Sequence, residues 1–129
     1  MSESQFTRLN HIHLVCSDVA ASERWFVEGV GAELVERRES RGMATSELRL
    51  AGVCLLLRAT HADEDPVAGS RRRYGTDHFA LEVADVDATV ETLRARGVQI
   101  ARDPADSPRN RVAFIQGPDD LVIELVQPR

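Results

Sequence analysis

One stretch of this 129-residue chain occurs twice, and that duplication limits the folds available to it. Residues 9–21 read LNHIHLVCSDVAA and residues 76–88 read TDHFALEVADVDA. His11 aligns with His78, Leu14 with Leu81, Asp18 with Asp85, Val19 with Val86 and Ala21 with Ala88, all at an offset of 67. The same succession of elements follows each copy. His11–Cys16 and His78–Val83 are rich in apolar and β-branched residues and read as strands. Asp18 and Asp85 stand where a helix N-cap belongs. Helices are expected over about 19–29 and 86–96. The first buries Ala21, Trp25 and Phe26 or their neighbours, and the second buries Val86, Val90 and Leu93 at spacings of four and three. Gly29 or Gly31, and Gly97, supply the stops.

Three further strands complete each copy. They fall at about 32–38, 43–50 and 53–58 in the first, and at about 98–102, 111–116 and 121–126 in the second. Ala51-Gly52 and Gly117-Pro118-Asp119-Asp120 read as the turns before the last strands. The expected fold is therefore α+β: two βαβββ modules, about 7–58 and 76–127, joined by a polar linker over about 59–75. The linker carries His61-Ala62-Asp63-Glu64-Asp65-Pro66 and Arg71-Arg72-Arg73. Hydrophobic residues make up 43% of the chain, enough for one compact domain.

Charge and composition remove several function classes. A formal net charge of −5 argues against a nucleic-acid partner and a polybasic membrane contact. No apolar run reaches the length of a membrane span, and residues 1–4 lack a signal pattern, so the expected location is cytoplasmic. Cys16 and Cys54 both lie in apolar strand-like runs and read as reduced thiols.

The two histidines occupy equivalent places in the repeat, which favours a shared role over two unrelated core imidazoles. Glu124 lies in Val122-Ile123-Glu124-Leu125-Val126, where a buried carboxylate needs a partner or a metal, the alternative being a solvent-facing Glu on an edge strand. His13 follows His11 at strand spacing and shares its face, so it reads as a proton carrier, a group supporting the metal or a satisfied core histidine. His61 reads as a solvated loop residue. Arg71-Arg72-Arg73 with Tyr74 reads as a solvated face or a contact for an anionic substrate. Asp103-Pro104-Ala105-Asp106-Ser107-Pro108 reads as a lid or an inert connection.

Asn10-His11-Ile12-His13-Leu14-Val15-Cys16-Ser17-Asp18, Asp77-His78-Phe79-Ala80-Leu81 and Gly117-Pro118-Asp119-Asp120-Leu121-Val122-Ile123-Glu124-Leu125 together resemble the vicinal oxygen chelate superfamily. That group includes glyoxalase I, methylmalonyl-CoA epimerase, bleomycin-resistance proteins, fosfomycin-resistance transferases and extradiol dioxygenases. The resemblance implies paired βαβββ modules curled around a metal cleft, with His11, His78 and Glu124 as ligands. It also implies a symmetric homodimer, with the site inside one chain or across the interface. A fourth ligand position in glyoxalases and epimerases holds Glu or Gln. Subtracting the repeat offset from Glu124 falls on Leu57, and a one-residue slip falls on Leu56 or Arg58.

A site of two histidines and one carboxylate leaves coordination positions open. That suits Fe(II), with Mn(II), Zn(II) or Ni(II) as alternatives. The expected activity is an extradiol-like dioxygenase acting on a small oxygen-chelating substrate, with His13 as base and Phe114 beside the substrate. Extradiol enzymes commonly carry a Tyr at the position of Phe114. The alternatives are a redox-neutral lyase, isomerase or thiol transferase, and a metal-free drug-binding protein.

Overall fold

The computed structural model describes residues 4–67 and 74–129. Arg71-Arg72-Arg73 lies outside them; the neighbouring Tyr74 is fully exposed. The first module runs β1 (His11–Val15), α1 (Val19–Arg24), a π-helical turn (Trp25–Gly29), β2 (Glu33–Ser40), β3 (Met43–Leu50) and β4 (Val53–Arg58). The second runs β5 (Phe79–Glu82), α2 (Val86–Ala95), β6 (Gln99–Asp106), β7 (Asn110–Gln116), a short 3₁₀ turn (Pro118–Asp120) and β8 (Val122–Pro128). Each module is βαβββ, as the repeat requires, and each forms its own four-stranded sheet, in the orders β1-β4-β3-β2 and β5-β8-β7-β6. The first strand pairs in parallel with the last in both, and the other pairs are antiparallel.

Both helices start on the expected caps. The Asp18 carboxylate accepts from the Ala21 N–H and the Asp85 carboxylate from the Ala88 N–H, each at 3.0 Å. Each satisfies an N–H that the first turn leaves without a partner. Val86, Val90 and Leu93 are buried, while in the first helix Phe26 carries the burial and Ala21 and Trp25 are partly exposed.

The core is one cluster fed by both modules, including Phe26, Leu48, Leu55, Leu57, Val90, Ile115 and Ile123. Alternation along a strand then fixes two faces. Leu55 and Leu57 on β4, and Ile123 and Leu125 on β8, point into the core. Leu56 and Glu124 point to the opposite, open faces, together with the residues paired to them, His13 and Ala80.

The modules also clasp each other through their connections. The Ser17 N–H donates to Asp119 Oδ2 at 3.0 Å and the Ser17 hydroxyl to Asp119 Oδ1 at 2.5 Å. Arg96 donates to the Gly29 carbonyl at 3.2 Å. Gly29 is buried so close to Val98 that a Cβ there would lie 2.9 Å from Val98 Cγ2.

One expectation is corrected. Asp103-Pro104-Ala105-Asp106 is neither lid nor loop but the second half of β6. β6 is an edge strand, and its register shifts on either side of Arg102, between Ile100 and Ala105. An edge strand with irregular pairing accommodates Pro104, because no ladder partner requires its missing N–H.

Candidate metal centre

The second module brings two of the three expected ligands together. Glu124 pairs with Ala80 on β5 and with Phe114 on β7, and His78 immediately precedes β5. His78 Nε2 lies 3.1 Å from Glu124 Oε1, and His78 Nδ1 lies 2.6 Å from Asp77 Oδ2. Both His78 and Glu124 are about three-quarters buried. The Phe114 ring meets His78 edge to face with centroids 5.5 Å apart. The Arg102 guanidinium lies over the Phe114 ring, 5.7 Å from its centroid.

The Asp77 carboxylate pushes the His78 pKa up, and Glu124 adds to it, against the opposing effect of burial. A carboxylate on Nδ1 keeps a proton there and directs Nε2 toward Glu124. An imidazole nitrogen and a carboxylate oxygen side by side, with the ring fixed from behind, are donors that suit a divalent ion. An ion binding there would replace the proton shared between Nε2 and Oε1.

The first module presents its own pair. His11 and His13 lie on the open face of β1, rings edge to face, with centroids 5.9 Å apart. His11 Nδ1 lies 2.8 Å from the Asn10 side-chain oxygen. An amide oxygen only accepts, so Nδ1 donates and Nε2 is the nitrogen left for another partner. Burial lowers the His13 pKa, and the charges of Arg58, His11 and Arg38 lower it further.

His11 does not join His78 and Glu124 within one chain. Among the described residues, no three His, Cys, Asp or Glu side chains gather closely enough to hold an ion. Each module offers two donors on its own open face.

The fourth-ligand position is resolved by strand register. Glu124 pairs with Ala80, and the equivalent pair in the first module is Leu56 with His13. The position is therefore Leu56, half-buried on the open face, and not Leu57, which is 0% exposed in the core.

Asn10 and Asp77, which set the two imidazoles, were visible in the sequence only as the polar residue before each repeated histidine. His61 sits in a turn, its N–H donating to Glu64 at 2.7 Å. The Arg58 guanidinium holds the Glu64 carboxyl down to about 2, with the His61 N–H helping. Cys16 is buried, Cys54 is half-buried opposite His11, and both are free thiols.

Comparison with known proteins agrees with this architecture. Residues 8–125 match the model of the Glyoxalase/Bleomycin resistance protein/Dioxygenase superfamily, and the chain belongs to that superfamily. It is 27% identical over 124 residues to the uncharacterized protein YwkD of Bacillus subtilis, covering 92% of this chain and 95% of YwkD. It is 28% identical over 133 residues to a probable lactoylglutathione lyase of Vibrio parahaemolyticus, covering 93% and 90%. A glyoxylase/bleomycin resistance protein/dioxygenase domain from Frankia superposes with a TM-score of 0.81 at 19% identity, over 97% of this chain and all of that one. The fosfomycin resistance protein FosX of Listeria monocytogenes, solved with Mn(II) and a dihydroxypropylphosphonic acid, superposes with a TM-score of 0.74 at 19% identity, over 97% and 93%. Among the described residues no helix is long and apolar enough to cross a membrane.

Proposed function

We propose that this chain is a divalent-metal-dependent, redox-neutral lyase or isomerase that works as a homodimer on a small substrate with two neighbouring oxygens. The observation that carries the reading is the His78–Glu124 pair, fixed from behind by Asp77 and half enclosed by Phe114. His11 on the other module completes the ligand set when a second chain supplies it, since one chain presents two donors per module and gathers no three together. The lactoylglutathione lyase name of the full-length Vibrio relative supports a lyase.

A bound divalent ion would polarise the substrate oxygens and acidify the adjacent C–H. The protein residues do the rest. Asp77 holds the His78 ring in one orientation, and Asn10 does the same for His11. Phe114 packs against His78 and shields it from water, and Arg102 over the Phe114 ring presents a positive charge to the substrate. His13, its pKa lowered by burial and by neighbouring positive charge, is available as a base or a ligand.

The expected dioxygenase chemistry has less behind it. The Phe114 ring packs directly on His78 and carries no hydroxyl to donate to a substrate or to oxygen. Leu56 leaves open a position that oxygen would use, so both activities belong in one experiment. Protein purified without added metal is analysed for metal content. It is then assayed with the hemithioacetal of methylglyoxal and glutathione, and separately for oxygen uptake with catechols. Bound Zn(II), Ni(II) or Mn(II), lyase turnover and no oxygen uptake support the proposal, with both metal and turnover lost in Glu124→Gln. Bound Fe(II) with oxygen uptake replaces it with the dioxygenase, and failure to bind any divalent ion rejects both.

A further inference from the structure

The two modules distribute their donors differently across one equivalent pair of positions. In the second module the first strand carries Ala80 and the last carries Glu124, paired directly. In the first module the first strand carries His13 and the last carries Leu56, paired in the same way. The polar donor has moved from the last strand to the first, and the apolar residue has moved the other way. Both residues of each pair project from the open face of their sheet, so a donor on either strand faces the same space.

We propose that His13 is a fourth protein ligand to the metal, replacing the carboxylate absent at Leu56, so that the site is His11 and His13 from one chain with His78 and Glu124 from its partner. This rests on the metal-dependent reading above. Residues two apart on a strand share a face about 6.6 Å apart along it, which lets two imidazoles reach one ion. With metal–nitrogen bonds of about 2.0–2.1 Å, two bound imidazoles have ring centroids roughly 4.5–5.8 Å apart. The His11 and His13 rings are 5.9 Å apart before any ion draws them together. Asn10 occupies Nδ1 of His11 and so leaves Nε2 for the ion. Each module then contributes two donors, which accounts for the absence of any three-donor group among the described residues of one chain.

The assignment changes what His13 does. A ligand is held on the metal and does not shuttle a substrate proton, so proton transfer passes to another group or to the substrate itself. It also changes specificity. A four-ligand site leaves fewer positions for substrate and oxygen together, which favours redox-neutral chemistry.

The test loads the full-length chain with one equivalent of Cu(II) and counts coordinated imidazoles by pulsed electron paramagnetic resonance. The proposal expects three in the wild type and two in His13→Ala. His13→Ala should also weaken Co(II) binding by more than about 100-fold, beyond the 10–100-fold that loss of a merely orienting partner costs. The double variant His13→Ala/Leu56→Glu should bind Co(II) tightly again, because the carboxylate returns to the last strand. Cys54→Ser should leave the count and the affinity unchanged. Two imidazoles in both wild type and His13→Ala, with binding still abolished by Glu124→Gln, overturns the inference and leaves the metal-dependent reading intact. A wild type that binds neither ion overturns both.

Discussion

Adjacent leucines on β4 give the sharpest test of the strand register. Leu57→Glu places a carboxylate where the side chain is 0% exposed, within the cluster of Phe26, Leu48, Leu55 and Ile115. Losing the buried leucine costs about 1.5–3 kcal/mol, and an unpaired buried carboxylate adds several more. The sum exceeds about 4 kcal/mol, against a total stability of about 5–15 kcal/mol for a domain. For a chain of this size that corresponds to a fall in Tm of roughly 15 °C or complete unfolding. Leu56→Glu changes the next residue, but its side chain faces the open side with His13, where a carboxylate reaches water. Its cost should stay under about 1.5 kcal/mol. Thermal denaturation followed by circular dichroism, with chelator present, measures both. Adding Zn(II) should then raise the Tm of Leu56→Glu and not rescue Leu57→Glu. If Leu57→Glu melts within about 5 °C of the wild type, or if Leu56→Glu is the worse of the two, the assignment of faces on β4 is wrong.

Two further predictions concern the frame around the site. The Arg37 guanidinium donates to both Glu23 oxygens, and the Ser46 hydroxyl donates to Oε1 at 2.7 Å. Arg37 holds the Glu23 pKa below its ordinary value, with Ser46 helping. Because the folded pKa is depressed, this stabilisation is complete above about pH 4.5 and is lost as pH falls through the folded value. Arg37→Ala should therefore lower stability at pH 7, and the gap to wild type in urea titrations should close toward pH 3. A gap that widens on acidification would refute it. Gly29→Ala should cost about 1–3 kcal/mol through its clash with Val98, and the Gly29→Ala/Val98→Ala pair should cost less than the sum of the two single changes. Strict additivity in a denaturation double-mutant cycle would show that the two residues do not touch.

Much of the fold was readable because duplication shows twice whatever one copy shows faintly. The caps Asp18 and Asp85, the buried face of α2 and the succession of elements within each module all follow from local pattern. The fourth-ligand position did not, for a definite reason. The offset is 67 between His13 and Ala80 but 68 between Leu56 and Glu124, so the second module holds one more residue before its last strand. The extra residue lies in the turn before β8: Glu47 and Phe114, the β3 and β7 partners of Leu56 and Glu124, still differ by 67, and the connection 117–121 is one residue longer than 50–53. A slip of one residue exchanges the two faces of a strand, so an offset carried from the first strand to the last names the core neighbour. Pro104 misled in another way, since proline suggests a loop until the strand is known to be an edge. The separation of His11 from His78 and Glu124 within one chain depends on how the modules pack, which strand periodicity does not encode.

Mixing two inactive variants shows whether the metal site is shared between chains. His11→Ala damages the first-module half of the site and Glu124→Gln the second-module half. In a heterodimer of the two, one shared site carries both defects and the other is intact. Native mass spectrometry of the refolded equimolar mixture should show one Zn(II) on the mixed dimer and none on either parental dimer. A mixed dimer without metal, alongside a wild-type dimer that binds two, would place the site within a single chain and rule out a shared one.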